Sequence, residues 1–513
     1  MKPTKNLSID NSKPNQDDFS TNHLLSNLTH KTVSSSFISL GTQGAKFLLN
    51  LMSTIILARL LMPEDFGIVA MVMSVSGFFM MLKDAGLSTV VIQKDLITHE
   101  QVSNLFWLNI IFSTGLSLTM ATIAYPVSWF YKEPRLVNIT LALSIIFFIF
   151  GSSFQHQALL KRQLKFKTIA AIEIGSMASG FITGVFMALH GYKYWSLIGQ
   201  NIALALMTCL LTWYFSNWRP SFFTRNCGTI PLLNFGINLT GASLLQAISR
   251  MLEYFLIGRF YGAQALGIYS RANALLMNPL QQLLSPLSNV FIPVLSRLQT
   301  DEKRYRNIFL QIYETMAILI FPASGLLMII SDPLINIVLG PKWHEAAPIF
   351  TLFTILAIYA PLSGATIWLF TSQGRGNDLI RTTTIITFFG ICSIIVGLPF
   401  GAKGVAFSYS LTGIFIRLPI LYYLAGRKGP VSTTDLFVKF VKHLPLWFGV
   451  VGSTYITNIL IPTHEPIHQI FISTFVGVIV SIFLIYNIKH EREIAINLIN
   501  KMFTLIPNKF IVK

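Results

Sequence analysis

About fourteen apolar runs, each roughly 20 residues long, follow one another through this chain, and each is long enough to cross the hydrocarbon core of a bilayer. They fall at 33–57, 66–82, 104–125, 136–157, 168–189, 194–215, 232–258, 265–296, 307–329, 346–371, 382–400, 404–424, 443–461 and 467–487. Backbone amides in lipid have no water to bond with, so such runs must satisfy themselves as helices. Barrel strands would alternate, and "ALSIIFFIFG" does not. The expected fold is an all-α polytopic membrane protein of about 14 transmembrane helices.

Composition agrees. Charged residues make up 12% of the chain, against about 25% in soluble domains. The net charge of +17 could suggest nucleic acid, but the Lys and Arg are not gathered on one domain. They sit in short runs between apolar segments, as positive-inside topology signals do, so no nucleic-acid partner is expected. With the N-terminus inside, most of the 38 basic residues fall on the cytoplasmic side, in "LLKRQLKFK", "SRLQTDEKRYR" and "GRKG" among others. An even helix number then places both termini in the cytoplasm. Residues 1–32 are polar and lack a signal-peptide pattern, so they read as a disordered cytoplasmic tail. Cys209, Cys227 and Cys392 share no metal or disulfide spacing, and no metal site is expected.

Two stretches echo each other, "ARLLMPEDFGI" and "GRFYGAQALGI". Arg59 answers Arg259, Gly67 answers Gly267, and Ile68 answers Ile268, at an interval far longer than the roughly 20–50 residues of a solenoid repeat. Six helices lie between the copies, so both face the same way across the membrane. A second echo, "GYK" at Gly191 and "GAK" at Gly401, precedes the last helix of each half. The chain therefore reads as two parallel-related six-helix lobes, 33–231 and 232–425, with a C-terminal segment 426–513 that holds two further helices. Parallel repeats of this kind are a transporter architecture, with a central cavity between the halves.

The first helix of each half carries a polar stripe at helical spacing. In the first it is Ser39, Gln43, Lys46, Asn50 and Ser53; in the seventh, Ser243, Gln246, Arg250 and Glu253. The eighth adds Arg271, Asn278, Gln282, Ser285 and Asn289, together with Pro279, Pro286 and Pro293. A Lys or Arg facing lipid near a helix centre costs roughly 2.5–3.5 kcal/mol on insertion scales, so a water-filled cavity is the expected neighbour. Lys46 lies too deep to snorkel easily. Arg250 and Glu253, at i and i+3, either face the cavity or neutralise each other. Arg271 fits the cavity mouth or an interface anchor equally well. Glu173, Glu314 and Arg417 lie shallower and read as structural. Lys46, Arg250 and Arg271 suit an anion, and the surrounding amides and hydroxyls suit a sugar. The expected substrate-binding set is Lys46, Arg250, Arg271, Gln43, Asn50, Gln246, Glu253, Asn278 and Gln282, with Glu253 and Glu314 as candidates for coupling H+ or Na+. No P-loop is present, outer loops are short, and none carries an acidic pair, so neither an ATPase motor, a membrane polymerase nor a ligase is indicated. A drug or cation antiporter would want an acidic cavity rather than a basic one. A purely structural scaffold leaves the polar stripes unexplained.

"ILARLLMPEDFGIVAMV", "DAGLSTVVIQK" and "FLIGRFYGAQALGIYSRANALLMNPLQQL" resemble the polysaccharide-exporting branch of the multidrug/oligosaccharidyl-lipid/polysaccharide exporter superfamily. Within it, the chain is similar to Wzx-type flippases of the colanic-acid and teichuronic-acid kind over roughly 33–425. The resemblance implies two six-helix lobes in a V and no enzymatic activity. It further implies ATP-free flipping of undecaprenyl-pyrophosphate-linked oligosaccharide units across the bacterial plasma membrane by alternating access. It implies no cofactor beyond an ion gradient in some members. Membrane lipids, a polysaccharide polymerase and a chain-length regulator would be the partners. By location, Lys46, Arg250 and Arg271 would meet the pyrophosphate, while Arg59, Gly67, Arg259 and Gly267 would pack helix hairpins.

Overall fold

The computed structural model describes residues 28–82, 88, 91–92, 97–224, 230–462, 465–489, 491–494 and 496, with side chains described except at 28–40, 82, 230–247, 249–250 and 283. Among the described residues there is no strand, and nine helical segments are long and apolar enough to cross a membrane. The chain divides into two compact units, one running up to Ser53 and resuming over Ser76–Leu244, the other made of Thr54–Val75 and everything after Leu244.

Before Leu244 the chain forms α1 (Leu28–Leu60), α2 (Pro63–Leu82), α3 (His99–Thr122), α4 (Ala124–Tyr131), α5 (Leu136–Gly151), α6 (Phe154–Arg162), α7 (Phe166–Leu189) and α8 (Trp195–Phe215), all in the first unit except the end of α1 and most of α2. Helix α3 starts five residues before its apolar run, because Thr98 and Gln101 form a capping box that satisfies two free amides of the first turn. Helices α7 and α8 pack closely through small residues one turn apart. A side chain at Gly180 would meet the Gln200 carbonyl oxygen at 2.9 Å, and one at Gly184 would meet Gln200 Cβ at 3.1 Å. This small-xxx-small contact lets backbones approach where lipid offers no hydrophobic drive. At one end, Phe106, His156, Trp213 and Trp218 form an aromatic box, with His156 and Trp213 centroids 4.3 Å apart.

The second unit continues with α9 (Ile230–Arg297), α10 (Glu302–Ile329), α11 (Ser331–Val338), α12 (Ala346–Ser372), α13 (Gly376–Gly397), α14 (Gly401–Thr412), α15 (Leu418–Gly426), α16 (Thr433–Leu460) and α17 (Pro466–Asn487). The two apolar runs expected at 232–258 and 265–296 appear as one helix broken at Gly262, whose φ of 78° only glycine adopts without strain. Gly191 and Gly401, the paired echo, both have positive φ, 79° and 77°, at the entry to their helices. Between α14 and α15 the chain makes a π turn over Gly413–Arg417. Helix α12 is central, with 67% of its apolar window buried, whereas α17 has 11% buried and presents its face to the surroundings. The core runs through Tyr305, Phe309, Tyr313, Phe321, Trp368 and Tyr422.

The repeat motif turns out to be a contact. Within the second unit α2 crosses the part of α9 after Gly262, and the two glycines face each other. A Cβ on Gly67 would lie 1.6 Å from the Ala263 carbonyl oxygen, and one on Gly267 would lie 1.8 Å from the Pro63 carbonyl oxygen. Pro63 answers Ala263 in the repeat as Gly67 answers Gly267. Each residue thus touches its partner's equivalent, the pattern of a two-fold-related interface. Arg59 donates to the Ile337 carbonyl, and Trp343 Nε1 donates to the Ala58 carbonyl at 2.9 Å, closing the same region.

Candidate functional site

Lys46 sits on α1 well inside a 33-residue helix. Its ammonium reaches across to Glu173 on α7, Nζ to Oε2 at 3.0 Å. One further turn pair along α1, Ser53 is buried and its hydroxyl accepts from Gln200 Nε2 on α8 at 3.0 Å. The stripe read on the first helix therefore faces α7 and α8 of its own unit. Beside the ion pair opens a cavity of about 170 Å³, lined by Lys46, Glu173, Gln157, Lys161, Ser176 and Thr208, with Leu160, Ile172 and Leu204 among its apolar walls. Two ammonium groups, one carboxylate, one amide and two hydroxyls thus share a largely apolar pocket. It lies where α6 turns into α7 through the basic stretch Lys161, Arg162, Lys165 and Lys167. Such a pocket can hold an anion by charge and a polyhydroxylated group by hydrogen bonds.

The second unit holds its own buried charges. Glu253 is 4% exposed and accepts a hydrogen bond from the Tyr269 hydroxyl. Arg417, 2% exposed, is placed by the π turn between Tyr409, 3.9 Å from its ring centroid, and Tyr359, at 4.8 Å. Arg271 stacks on Phe66 at 4.6 Å. A second cavity, about 380 Å³, opens between α10 and α16 among Arg306, Asn307, Gln311, Glu314, Lys439 and Glu493. Its walls are stitched by Lys439 to Glu314 and by Arg306 to Asp435, the latter with Nε to Oδ2 at 2.8 Å.

The expected site residues are thus distributed. Lys46 lines the first cavity; Gln43 and Asn50 are half-buried on the same helix. Glu253 and Arg271 lie in the second unit's interior cluster, Asn278 is exposed, and Gln282 is half-buried with its Oε1 enclosed. The side chains of Arg250 and Gln246 lie outside the described residues. Of the two carboxylates considered for ion coupling, Glu314 is held by Lys439 and Glu253 by Tyr269. Among the described residues no group of three His, Cys, Asp or Glu gathers as metal ligands would. Of the residues read as structural, Glu173 pairs with Lys46 and Arg417 donates to the Tyr409 carbonyl.

A family model described as "Polysaccharide biosynthesis protein" matches residues 56–348, more than half of the chain. The chain belongs to that polysaccharide biosynthesis protein family. The matched stretch carries the glycine crossing, Glu173, Lys161 and Arg271. This family member is 25% identical over 411 residues to the lipopolysaccharide biosynthesis protein WzxC of Escherichia coli, covering 77% of this chain and 82% of that one. It is 26% identical over 356 residues to the teichuronic acid biosynthesis protein TuaB of Bacillus subtilis, covering 68% and 72% respectively. Among solved structures its fold matches that of the lipid II flippase MurJ in an inward closed conformation, with TM-score 0.69, 15% identity, and coverage of 88% of this chain and 99% of the other. The polysaccharide biosynthesis family member is accordingly an all-helical, multi-pass membrane protein.

Proposed function

We propose that this protein is a transporter that moves a lipid-linked oligosaccharide, joined to its prenyl carrier through a diphosphate, across the bacterial plasma membrane by alternating access. The product would serve surface polysaccharide assembly, with both chain termini in the cytoplasm and fourteen crossings in all. The observation that carries the reading is the first cavity. Two lysines against one glutamate, with an amide and two hydroxyls at hand, match a phosphate followed by a sugar. Its position beside the Lys161–Lys167 loop, cytoplasmic by the positive-inside rule, is where such a substrate is made and loads. A cation antiporter would need the opposite balance of charge. The names of the relatives, lipopolysaccharide and teichuronic acid biosynthesis proteins, support a polysaccharide substrate.

Export in living cells tests the reading. Lys46→Ala is expected to abolish surface polysaccharide in a strain that depends on this protein, with membrane protein level unchanged by immunoblot. Normal surface polysaccharide in that variant would refute the proposed site.

A further inference from the structure

Lys46 and Glu173 both line the cavity, and both remain partly open to it, with side chains 27% and 40% exposed. The pair is therefore neither sealed in the core nor a distant surface bridge. Glu173 Oε2 sits 3.0 Å from the ammonium and takes one of its three N–H donors, a place an incoming phosphate oxygen would contest. Lys161 lines the same cavity from the end of α6, and among the described residues no ion pair is recorded for it.

We infer that Glu173 is the built-in competitor for the Lys46 ammonium, a specificity-determining residue that admits multivalent phosphates and turns away single-charged ones. The inference rests on the proposed function. A monoanion arriving at Lys46 offers one charge in exchange for the carboxylate it displaces, and gains nothing. A diphosphate can bridge Lys46 and Lys161 together, so it displaces Glu173 and still gains a second contact. When the substrate leaves, Glu173 returns to Lys46. The empty carrier then never exposes an unpaired Lys46 ammonium to the membrane interior, a state that lipid strongly disfavours. Loaded and empty states are both compensated, by phosphate in one and by Glu173 in the other, and differential affinity rather than tight binding drives the exchange.

The test uses the purified full-length protein in lipid nanodiscs, with geranylgeranyl diphosphate and the singly charged phosphodiester geranylgeranyl methyl phosphate as probes, dissociation constants being read at 0.15 M salt. Wild type is expected to prefer the diphosphate. Glu173→Gln should bind both probes about fivefold tighter or more, the scale of a partly exposed ion pair released from competition, so that the singly charged probe, which wild type turns away, now binds while the ratio between the two probes is kept. Glu173→Asp should keep the wild-type affinities, and Lys46→Ala should lose binding whether or not Glu173→Gln is added. A merely structural bridge predicts the opposite sign, with Glu173→Gln binding both probes more weakly. Unchanged affinity for both probes in Glu173→Gln, while wild type and Lys46→Ala still differ, would overturn the inference and leave the proposed function standing. Equal binding by wild type and Lys46→Ala would overturn both.

Discussion

Replacing Gly67 with alanine places a methyl carbon 1.6 Å from the Ala263 carbonyl oxygen, where a carbon and a carbonyl oxygen in contact need about 3.3 Å. No side chain can swing away, because the obstacle is backbone. The two helices must part locally by roughly 1.7 Å, and overpacking of this kind costs about 1–3 kcal/mol. Alanine's better helix propensity returns up to about 1 kcal/mol. A net loss of about 1–2 kcal/mol follows for Gly67→Ala, and a similar loss for Gly267→Ala, whose methyl would meet the Pro63 carbonyl oxygen at 1.8 Å. The two clashes occur at one crossing and are relieved by one separation. The double variant should therefore cost little more than the worse single, a coupling of about 1–2 kcal/mol in a double-mutant cycle. Thermal unfolding in detergent, followed by tryptophan fluorescence, measures all four proteins. Additive losses, or neutral single variants, would refute the close backbone contact and with it the claim that the sequence repeat is a physical interface.

Two further outcomes are expected. Tyr269→Phe removes a hydroxyl that donates to the buried Glu253 carboxylate, and should lower stability by about 1–3 kcal/mol in the same assay; no change would show that the carboxylate does not depend on this donor. At the start of α16 the Arg306 guanidinium holds Asp435 down at about 2, below its ordinary 3.8. Because the folded value is depressed, the stabilisation is full above the unfolded value and fades as pH falls from about 3.8 to 2. The melting-temperature gap between wild type and Asp435→Asn should accordingly be full at pH 6 and close towards pH 2, and a gap independent of pH would refute the pairing.

Much of this was legible before any coordinates. Hydropathy located the helices, since every segment in lipid must close its own hydrogen bonds. It located their starts poorly. Helix α16 begins at Thr433 rather than 443, because Ser432 and Asp435 form a capping box ahead of the apolar run; "STTD" was a readable signal. Depth along the helix marked Lys46 as buried in function, yet nothing local pointed to Glu173, 127 residues away, as its partner. Periodicity tells which side of a helix is polar and is silent on which helix stands opposite. Arg417 illustrates the same limit. Counting from the helix end made it look shallow, but a π turn and two tyrosines from other positions enclose it.

That π turn has a consequence for how this segment tolerates length change. A π turn holds one residue more than the α-helix around it needs. Deleting a residue elsewhere in a helix rotates everything downstream by about 100° and pulls it back about 1.5 Å. Deleting one between Gly413 and Ile416 instead closes the loose turn and leaves Leu421 and Tyr422 pointing into the core they occupy now. The slack stored there lets evolution add or remove the residue that presents Arg417 while the flanking helix keeps its phase.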